Sequence, residues 1–487
     1  MTLTEIAEVV GGSVHDDPGV TVTGPAFLDS RVAELGGLFV AIAGERVDGH
    51  AFAAAAVGNG AAAVLGSRPA GVPTVVVDDV LEALAKLAHH VLDRLDSVRV
   101  VALTGSQGKT STKDLVARVL ADAGTTVATF GSFNNELGFP LTVLRADPRT
   151  EYLVLEMGAR GVGHIRDLCA VAAPDVALVL NVGKAHLGEF GSQEAIAQAK
   201  GEIVESLHEN GVAVLNADDP LVAAMASRTR ARVRTFGEGA GADVRLDALA
   251  LDDLGRPHFD LVAGDATARV KLQLVGEHQA GNATAAAAVA LALGLPLEAV
   301  AASLSGVEAI SRGRMEVHER ADGVTVIDDA YNANPDSMRA GLKALAAIGR
   351  RRPGARTVAV LGEMRELGEA SREEHDAVGR LAVRLDIHQL VVVGEPARPM
   401  HLGASLEGSW AEESVFVPDN DAATAWLREH LRPGDVVLFK ASNAAQLGRV
   451  AEAVLADVDG SGGAEGAPRG RTKKPSGDAA SEEDTTR

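Results

Sequence analysis

Two series of apolar runs, each followed by a turn and a helical length, pass through most of this sequence. The first series contains VRVVAL, YLVLEMG, DVALVLNVG and GVAVLNADD, and the second contains GVTVIDD, RTVAVLG, QLVVVG and DVVLFK. This alternation is typical of βαβ units, in which parallel strands form an open sheet covered by helices. The sequence therefore predicts an α/β protein with two such sheets.

The chain of 487 residues is too long for one ordinary hydrophobic core, so we predict several domains. Residues 1–95 combine short strands, turns and alanine-rich helix. The first βαβ series predicts a central domain over residues 96–311, and the second predicts a C-terminal domain over residues 312–459. Residues 460–487 lack the aromatic and β-branched clusters that a core needs, so we predict a disordered tail there.

Composition excludes several classes of protein. The net charge of −21 argues against a nucleic-acid surface, which would need a basic face. The single cysteine, Cys169, excludes an internal disulfide framework and fits a reducing compartment, so a cytoplasmic protein is expected. The apolar stretch that begins at Ala283 is interrupted by Gly294 and Pro296, which predicts two buried helices with a turn between them and no membrane span.

The first strand of the central series leads into a phosphate-binding loop of unusual form. The sequence reads TGSQGKTSTKDL from Thr104, with Leu103 where the usual loop has its first glycine. Gly105 and Gly108 would let backbone N–H groups approach an anion, Lys109 would add a positive charge, and Thr110 would offer its hydroxyl to Mg²⁺. An ordinary strand-to-helix turn is the alternative, but the strand before the loop and the helical pattern after it favour phosphate binding.

Three side chains follow neighbouring strands or begin the next helix, where open α/β sheets place their ligands. Glu156 closes YLVLEMG, His186 follows DVALVLNVG, and Lys200 lies in the helical QAKGEIVESL. Taken singly, they could be a capping carboxylate, a loop histidine and a solvated lysine. Beside a phosphate loop, an acid and a histidine are better explained as ligands of a cation. An ammonium ion has no lone pair, so the residues alone give Lys200 no role as a ligand.

An ordered set of motifs resembles the Mur ligase family from about Asp29 to the last helix before the tail. The motifs are TGSQGKTSTKDL, FNNELGFPLTVL, EMGARGVGHI, NVGKAHLGEFGS, AKGEI, LNADDP, GEHQAGNATAAAA, SRGRMEV and IDDAYNANPDSMRAGL. The shortened TGxxGKT is that family's form of the loop. Two departures stand out: Gln107 is an uncommon choice in the loop, and KASN at 440–443 replaces the family's KGSR-like motif, which puts a role for an arginine there in doubt.

The resemblance implies three domains: a smaller N-terminal domain for the UDP-substrate, a central P-loop ATPase domain with a parallel sheet, and a C-terminal Rossmann-like domain. It implies ATP and two Mg²⁺ ions, with Lys200 carried as a carbamate, which turns a cation into an anion. Lys109, Lys200 and His186 would be catalytic. The implied metal ligands are Thr110, Glu156, His186 and Lys200; the implied ATP-binding residues are Thr104, Gly105, Ser106, Gln107, Gly108, Lys109, Thr110, Asn282, Arg314 and Asp329.

Several of these assignments leave a simpler alternative open. Ser30 and Arg31, in the DSR motif, would meet the UDP-substrate, although DSR could be a surface turn. Arg314 could be a salt-bridge arginine, and Asp329 could cap a strand end. Asn282 would lie at the adenine.

The late motifs VLGEMRELGEAS and YNANP resemble the dipeptide-adding branch of the family, and a DNPR signature is absent from the sequence. The resemblance then implies an ATP-dependent amide ligase of peptidoglycan precursor synthesis. We expect a monomer, although the sequence leaves the oligomeric state open. Its substrates would be UDP-N-acetylmuramoyl-tripeptide and D-alanyl-D-alanine, joined through an acyl phosphate. The alternatives are another amino-acid ligase of the superfamily, such as a diamino-acid-adding enzyme or folylpolyglutamate synthase, and a P-loop switch or motor that forms no bond.

Overall fold

Three β-sheets occur along the chain in the computed structural model, which describes residues 1–44, 47–131, 133–183, 187–308, 311–408 and 413–457. The predicted α/β class with three domains is confirmed. The boundaries placed at residues 95 and 311 stay predictions, and the predicted disordered tail lies outside the described residues. Within the described part, no helix is both long and apolar enough to cross a bilayer.

The N-terminal sheet has five strands in the order β1-β5-β4-β3-β2, parallel except for β1. The helix α1 begins at a capping box, in which the Thr2 side chain accepts from the Glu5 N–H and the Glu5 carboxylate accepts from the Thr2 N–H. The elements of this part are α1 (Leu3–Val10), β1 (Ser13–His15), β2 (Ala26–Phe27), β3 (Leu38–Val40), α2 (Ala53–Gly58), β4 (Ala63–Gly66), β5 (Thr74–Val76) and α3 (Val80–Leu92).

The central sheet has nine strands, and its elements are β6 (Arg99–Thr104), α4 (Lys109–Ala121), β7 (Thr126–Ala128), α5 (Gly138–Val143), β8 (Tyr152–Glu156), α6 (His164–Val171), β9 (Val176–Val179), α7 (Leu187–Phe190), α8 (Gln193–Glu205), β10 (Val212–Asn216), α9 (Pro220–Ala223), β11 (Arg232–Gly237), β12 (Val244–Leu251), β13 (Pro257–Ala263), β14 (Ala266–Lys271), α10 (His278–Ala292) and α11 (Leu297–Ser305). The strand order is β14-β13-β12-β11-β10-β9-β6-β8-β7. Strands β6 to β12 are parallel, as predicted, whereas β13 and β14 extend the sheet as antiparallel strands.

Both faces of the central sheet are covered, which explains why its strands are almost continuously apolar. One core lies between the sheet and α4, α10 and α11, and the other lies between the sheet and α5, α6 and α8. The alanine-rich stretch forms the two helices α10 and α11, as predicted, because small side chains let α10 pack closely against α4 and the strands.

The C-terminal sheet has six strands in the order β15-β16-β20-β17-β18-β19, parallel except for β15. Its elements are β15 (Glu316–Glu319), β16 (Thr325–Asp328), α12 (Pro335–Arg351), β17 (Thr357–Leu361), α13 (Ser371–Arg384), β18 (Gln389–Val393), α14 (Arg398–Glu407), β19 (Ser414–Val417), α15 (Asn420–His430), β20 (Val436–Lys440) and α16 (Gly448–Ala456). Short 3₁₀ turns occupy Gly49–Phe52, Ala224–Arg228, Gly368–Ala370, Glu395–Ala397 and Asn443–Ala445.

Strand order decides which side chains meet. In the central sheet β6 lies between β8 and β9, and Leu103 pairs with Glu156. In the C-terminal sheet β16 pairs with β20, so Asp329, which follows β16, lies beside the end of β20. Ligands of open parallel sheets bind at the carboxyl ends of the strands. Each sheet therefore brings its polar strand ends to one edge.

Candidate functional site

A cleft of about 750 Å³ lies between these two edges, and we call it the interdomain cleft. Of the residues predicted to bind nucleotide or metal, nine line it: Ser106, Gln107, Gly108, Lys109, Thr110, Glu156, Asn282, Arg314 and Asp329. Thr104, Gly105 and Lys200 are not among the lining residues, nor are Ser30 and Arg31 of the N-terminal part. His186 lies outside the described residues, so its position stays a prediction.

Hydrogen bonds to a neighbouring side chain fix the conformation of the phosphate loop. The Asn181 side chain accepts from the backbone N–H groups of Ser106 and Gln107, at 3.0 Å each, and donates to the Gln107 carbonyl. Gly108 precedes α4 with a φ of +77°, a left-handed conformation that favours glycine. A side chain there would also lie 2.6 Å from the Asn282 amide oxygen. The loop thus turns its backbone toward the cleft at the positive end of a 13-residue helix.

Lys109 leads α4, and its ammonium donates to the Gly105 carbonyl at 2.9 Å. Desolvation lowers the pKa of Lys109, and the positive charge of Arg314 lowers it further, whereas the carboxylates of Glu156 and Glu366 act in the opposite direction. Lys109 therefore lies in a cluster of charges contributed by both sheets. An anion that replaces the Gly105 carbonyl as partner would compensate the desolvation of the ammonium.

Glu156, at the end of β8, is 1% exposed. One oxygen accepts from the Asn134 side chain at 2.7 Å, while the other is buried and has no hydrogen-bond partner among the described residues. A buried carboxylate oxygen without a partner is costly and calls for a cation or a donor. The predicted capping role is not what the described contacts show, since Glu156 accepts no backbone N–H.

Lys200 is 3% exposed in α8, which excludes the solvated-lysine alternative. Burial, and secondarily the charge of Lys109, lower the pKa of Lys200 well below its ordinary value. At a given pH, a larger fraction of Lys200 is therefore neutral amine than is the case for a lysine on the surface. The described residues contain no cluster of three His, Cys, Asp or Glu side chains that could hold a metal on its own.

An arginine anchors the helix that carries Lys200. The Arg228 guanidinium donates to the carbonyls of Ala197 and Gln198 at 3.1 and 2.8 Å and pairs with Glu205 at 2.7 Å. It passes directly over Gly201, where a Cβ would lie 1.9 Å from one of its nitrogens. The absence of a side chain at position 201 is what allows this contact.

Replacing Gly201 with alanine is expected to destabilise the protein by about 1 kcal/mol, because the displaced guanidinium would lose two backbone carbonyls and a carboxylate as partners, which the higher helix propensity of alanine offsets only in part. Thermal or chemical unfolding measures this. The matched control is Gly58→Ala in α2, where a Cβ meets nothing within 4 Å; it should leave stability unchanged or slightly raised. Equal stability of the two variants would contradict the anchoring role of Arg228.

The C-terminal sheet contributes Arg314, whose guanidinium reaches the phosphate loop. Its Nη2 donates to the Thr110 hydroxyl at 3.3 Å, its centre lies 4.4 Å from the centroid of the Tyr331 ring, and its buried Nε has no hydrogen-bond partner within the described part of the chain. No carboxylate pairs with Arg314 in the described residues, so the salt-bridge alternative is not supported. The guanidinium instead connects the two sheets across the cleft.

Asp329 forms a buried ion pair with Lys440. Its Oδ2 lies 2.6 Å from the Lys440 ammonium, and its Oδ1 accepts from the Met315 N–H at 3.3 Å. The Lys440 side chain is 2% exposed, and its ammonium also donates to the Asn332 carbonyl at 3.0 Å. Thus the lysine of the KASN segment fixes a carboxylate that lines the cleft, a role that the sequence analysis did not assign.

The DSR motif lies in the N-terminal part. Arg31 is exposed and pairs with Asp29 through two side-chain contacts of 2.9 and 2.7 Å, and this pairing lowers the pKa of Asp29 to about 2. The Ser30 carbonyl accepts from the Asn59 side chain at 2.8 Å. These contacts agree with the surface-turn alternative, and the contact with the UDP-substrate stays a prediction.

Sequence reasoning missed several residues of the cleft. Asn181, Asn134 and His278 lie in motifs that were noted but given no role, and Tyr331, Glu366 and Lys440 come from C-terminal segments. Their positions could have indicated a role, because each lies in a polar motif next to the end of a strand or helix. These motifs are NVG, FNN, GEH, YNANP, GEMRELG and KASN. Their convergence depends on the packing of two sheets, which no local pattern encodes.

Comparison with known proteins matches three family models in chain order. Residues 27–92 match the Mur ligase family catalytic domain, 103–290 the Mur ligase middle domain, and 313–443 the Mur ligase glutamate ligase domain. A Mycobacterium tuberculosis protein named UDP-N-acetylmuramoyl-tripeptide–D-alanyl-D-alanine ligase is 52% identical over 499 residues, covering 94% of this chain and 98% of its own. The Escherichia coli protein of the same name is 36% identical, with 86% and 91% covered.

Solved structures of proteins named MurF also superpose on this chain. A crystal structure of MurF from Acinetobacter baumannii superposes with a TM-score of 0.82 at 33% identity, covering 93% of this chain and 98% of the other. MurF from Thermotoga maritima, crystallised in complex with ADP, gives a TM-score of 0.77 at 33% identity, covering 90% and 98%.

Proposed function

The chain belongs to the Mur ligase family, and from that premise we propose that it joins D-alanyl-D-alanine to UDP-N-acetylmuramoyl-tripeptide at the expense of ATP. This is the reaction in the names of its relatives, and it is a step of peptidoglycan precursor synthesis. The alternative hypothesis of another amino-acid ligase of the superfamily is less well supported, because the relatives that align with nearly the whole chain are named as dipeptide-adding ligases. The hypothesis of a P-loop motor is less well supported for the same reason.

The observation that carries the proposal is that the phosphate loop and the C-terminal Arg314 and Asp329 line one cleft. ADP bound to the T. maritima relative supports ATP as the nucleotide. We propose that the loop from Thr104 to Thr110 holds the phosphates through the backbone N–H groups of Gly108, Lys109 and Thr110 and through the Lys109 ammonium, while the N–H groups of Ser106 and Gln107 donate to Asn181. Asn282, which packs against the loop, is proposed to contact the adenine. Arg314 and Asp329 are proposed to hold the nucleotide from the C-terminal side.

The donors in the cleft fit Mg²⁺. Glu156 offers a buried carboxylate oxygen that has no hydrogen-bond partner among the residues the structure describes, and Thr110 offers a hydroxyl at the end of the loop. We propose these two as ligands, together with His186 and a carbamate of Lys200. When bound, Mg²⁺ would neutralise part of the negative charge that two anionic substrates bring together.

Lys200 can form a carbamate only from its neutral amine, which burial favours at this position. The neutral Nζ atom attacks carbon dioxide, a C–N bond forms as one C=O π pair moves onto oxygen, and one N–H proton is released to solvent, which leaves an anion in place of the neutral amine. The carbamate anion would attract the Lys109 ammonium, whose positive charge disfavours a protonated Lys200.

The reaction is proposed to proceed in two steps. A carboxylate oxygen of the tripeptide attacks the γ-phosphorus of ATP, and the bond to the β-phosphate oxygen breaks, giving ADP and an acyl phosphate. The neutral amine of the dipeptide then attacks the acyl carbon and forms the amide bond; the acyl C–O bond breaks, phosphate leaves with the oxygen that came from the carboxylate, and the nitrogen loses one proton, which the released phosphate or water accepts. Lys109 offsets the repulsion between the two anions in the first step, and closure of the cleft limits hydrolysis of the acyl phosphate.

The remaining assignments are also proposals. Ser30 and Arg31 are proposed to meet the UDP-substrate at the N-terminal part. The enzyme is proposed to act as a monomer, since residues of one chain line both sides of the cleft. A cytoplasmic location is proposed because ATP and UDP-linked precursors are available there and Cys169 is a free, buried thiol.

Isotopic oxygen tests the proposed reaction. When the terminal carboxylate of the tripeptide carries ¹⁸O, one label is expected in the released inorganic phosphate, detected by mass spectrometry. Product formation should also require ATP, UDP-tripeptide and dipeptide together, as shown by omitting each in turn. Ligation without transfer of the label would exclude an acyl phosphate, and ATP hydrolysis without ligation product in the presence of all three substrates would exclude the ligase.

A further inference from the structure

The segment after β8, residues 157–163, forms one wall of the interdomain cleft, and we call it the β8 loop. Gly158, Ala159 and Arg160 of this loop line the cleft. The Gly158 N–H donates to the Asn134 carbonyl at 2.9 Å, and a Cβ at position 158 would lie 2.9 Å from the Asn134 amide oxygen. The start of the β8 loop is therefore packed closely against the chain segment that follows β7.

A buried carboxylate from α8 holds the other end of the β8 loop. Glu202 is 3% exposed, its Oε1 accepts from the Gly163 N–H at 2.6 Å, and its Oε2 accepts from the Arg166 N–H at 3.0 Å. These N–H groups lie at the N-terminus of α6, so a negative charge already compensates the positive end of that helix. Arg160 is the one charged residue in the sequence of the β8 loop, MGARGVG. The loop therefore carries one positive charge on a backbone that is anchored at both ends.

Four lysine and arginine side chains among the described residues line the cleft: Lys109, Arg160, Arg314 and Lys440. All of them except Arg160 contact the phosphate loop or a residue of the C-terminal sheet. The Arg160 side chain is exposed, and it forms no hydrogen bond or ion pair with any residue that the structure describes. Its backbone N–H donates to the His164 Nδ1 at 3.4 Å. The guanidinium of Arg160 is therefore available to an anion in the cleft.

Strand order places Arg160 on the side of the cleft that leads to the N-terminal part. Along the central sheet β6 leads into the phosphate loop, β8 leads into Glu156 and the β8 loop, and β7 is the edge strand. The helices α5 and α6, on either side of the β8 loop in the chain, both contact α3 of the N-terminal part. In the opposite direction, Asn181, Asn216 and Phe236 line the cleft at the ends of β9, β10 and β11. Arg160 thus lies on the side from which the UDP-substrate is proposed to extend.

The chemistry of the acyl donor limits which anion Arg160 can meet. The terminal carboxylate of the tripeptide must reach the γ-phosphate of ATP, which is proposed to lie at Lys109. A different anion of the same substrate then lies beside the β8 loop. A guanidinium binds a carboxylate through two parallel N–H donors, which fixes the orientation of the carboxylate as well as its position. A carboxylate on a side branch of the peptide, held in this way, would direct the terminal carboxylate toward the phosphates.

We propose that Arg160 binds a side-branch carboxylate of the tripeptide and so selects acyl donors that carry one. The proposal rests on the proposed ligase function and deepens it, because it names a chemical feature of the first substrate. The nucleotide is assigned to other residues, and the dipeptide is not assigned to Arg160. The role of Arg160 can therefore be measured through the binding of the UDP-tripeptide alone.

Pairs of peptides that differ by one carboxylate test the proposal. Diaminopimelate is lysine with one additional carboxylate, so UDP-tripeptides that end in diaminopimelate or in lysine form the first pair. A glutamate at the second position, with its side-branch carboxylate free or amidated, gives the second pair. In one of the two pairs the wild type is expected to bind the more acidic peptide about tenfold more tightly, as measured by calorimetry. Arg160→Gln should bind both members of that pair equally within twofold. The pair that responds identifies the residue that carries the carboxylate.

Two further variants separate charge recognition from structural damage. Arg160→Lys keeps the charge without the planar donor pair and should retain part of the discrimination. Arg166→Gln is the matched control, because Arg166 is an exposed arginine of α6 that does not line the cleft, and it should discriminate as the wild type does.

Three results would overturn the role of Arg160 and leave the ligase function intact. In the first, the wild type binds both members of both pairs equally. In the second, Arg160→Gln discriminates as well as the wild type. In the third, Arg160→Gln loses the same factor for every peptide, as expected if the guanidinium met the diphosphate of the UDP group. A wild-type enzyme that forms no ligation product would overturn the ligase function as well.

Discussion

Replacing Lys109 with alanine is expected to lower the rate of ligation by about a thousandfold or more, because the variant lacks the cation at the phosphate loop. The lysine ammonium lies 2.9 Å from the Gly105 carbonyl and is desolvated, so it is positioned for an anionic ligand. Phosphorylation of the tripeptide carboxylate requires two anions to meet, and Lys109 offsets their repulsion. Steady-state assays of product formation measure the effect.

Binding of the UDP-tripeptide provides the internal control for Lys109→Ala. The UDP-substrate is proposed to bind at the N-terminal part, so its dissociation constant, measured by calorimetry, should stay within about threefold of the wild type. Arg118→Ala, which changes a half-exposed residue far from the loop on the same helix, should retain full activity. Wild-type turnover in Lys109→Ala would remove the phosphate loop from the mechanism.

Replacing Lys200 with alanine is expected to reduce ligation by about a hundredfold to a thousandfold, because the variant cannot form the proposed carbamate anion. Lys200 is 3% exposed and has a strongly lowered pKa, which are the conditions under which its amine can react with carbon dioxide. Wild-type enzyme equilibrated with ¹³C-labelled bicarbonate should show a carbamate resonance by NMR that is absent from Lys200→Ala.

Lys343→Ala is the matched control for Lys200→Ala, since Lys343 is an exposed lysine of α12. Its activity and its carbamate signal should equal those of the wild type. Full activity in Lys200→Ala would show that the buried lysine is not needed. A labelled wild type without the resonance would show that Lys200 acts as an amine or ammonium.

The central site was predictable because its parts are local in sequence. The strand VRVVAL, the loop from Thr104 and the helix that begins at Lys109 are consecutive, so hydrophobic periodicity and the Gly-Lys-Thr motif locate them together. Parallel strands bring their carboxyl ends to one edge of a sheet, which predicts that Glu156 lies beside the loop. The pairing of Leu103 with Glu156 in neighbouring strands agrees with this prediction.

The C-terminal contribution was less predictable, because its contacts join residues far apart in the chain. Asp329 and Lys440 are separated by 111 positions, and nothing in either segment specifies that they form a pair. Glu366 adopts a left-handed conformation, and the two residues before it are hydrogen-bonded to His375 and Ser442, which lie in two other segments of the chain. The βαβ pattern does not predict the antiparallel strands β13 and β14. Polar and apolar residues alternate in these strands, whereas the strands of a βαβ unit are almost continuously apolar.

The hydrogen bonds of Ser442 have a thermodynamic consequence. The Arg365 N–H donates to the Ser442 hydroxyl at 3.0 Å, and that hydroxyl lies within 3.5 Å of the Ala333 carbonyl, so Ser442 ties the segment of Arg365 to the segment that follows Asp329. A rigid movement of the C-terminal sheet would carry the two segments together. A nucleotide that contacts both sheets across the cleft would stabilise their docked arrangement. Linkage requires reciprocity: the factor by which bound nucleotide favours docking equals the factor by which docking tightens the binding of the nucleotide.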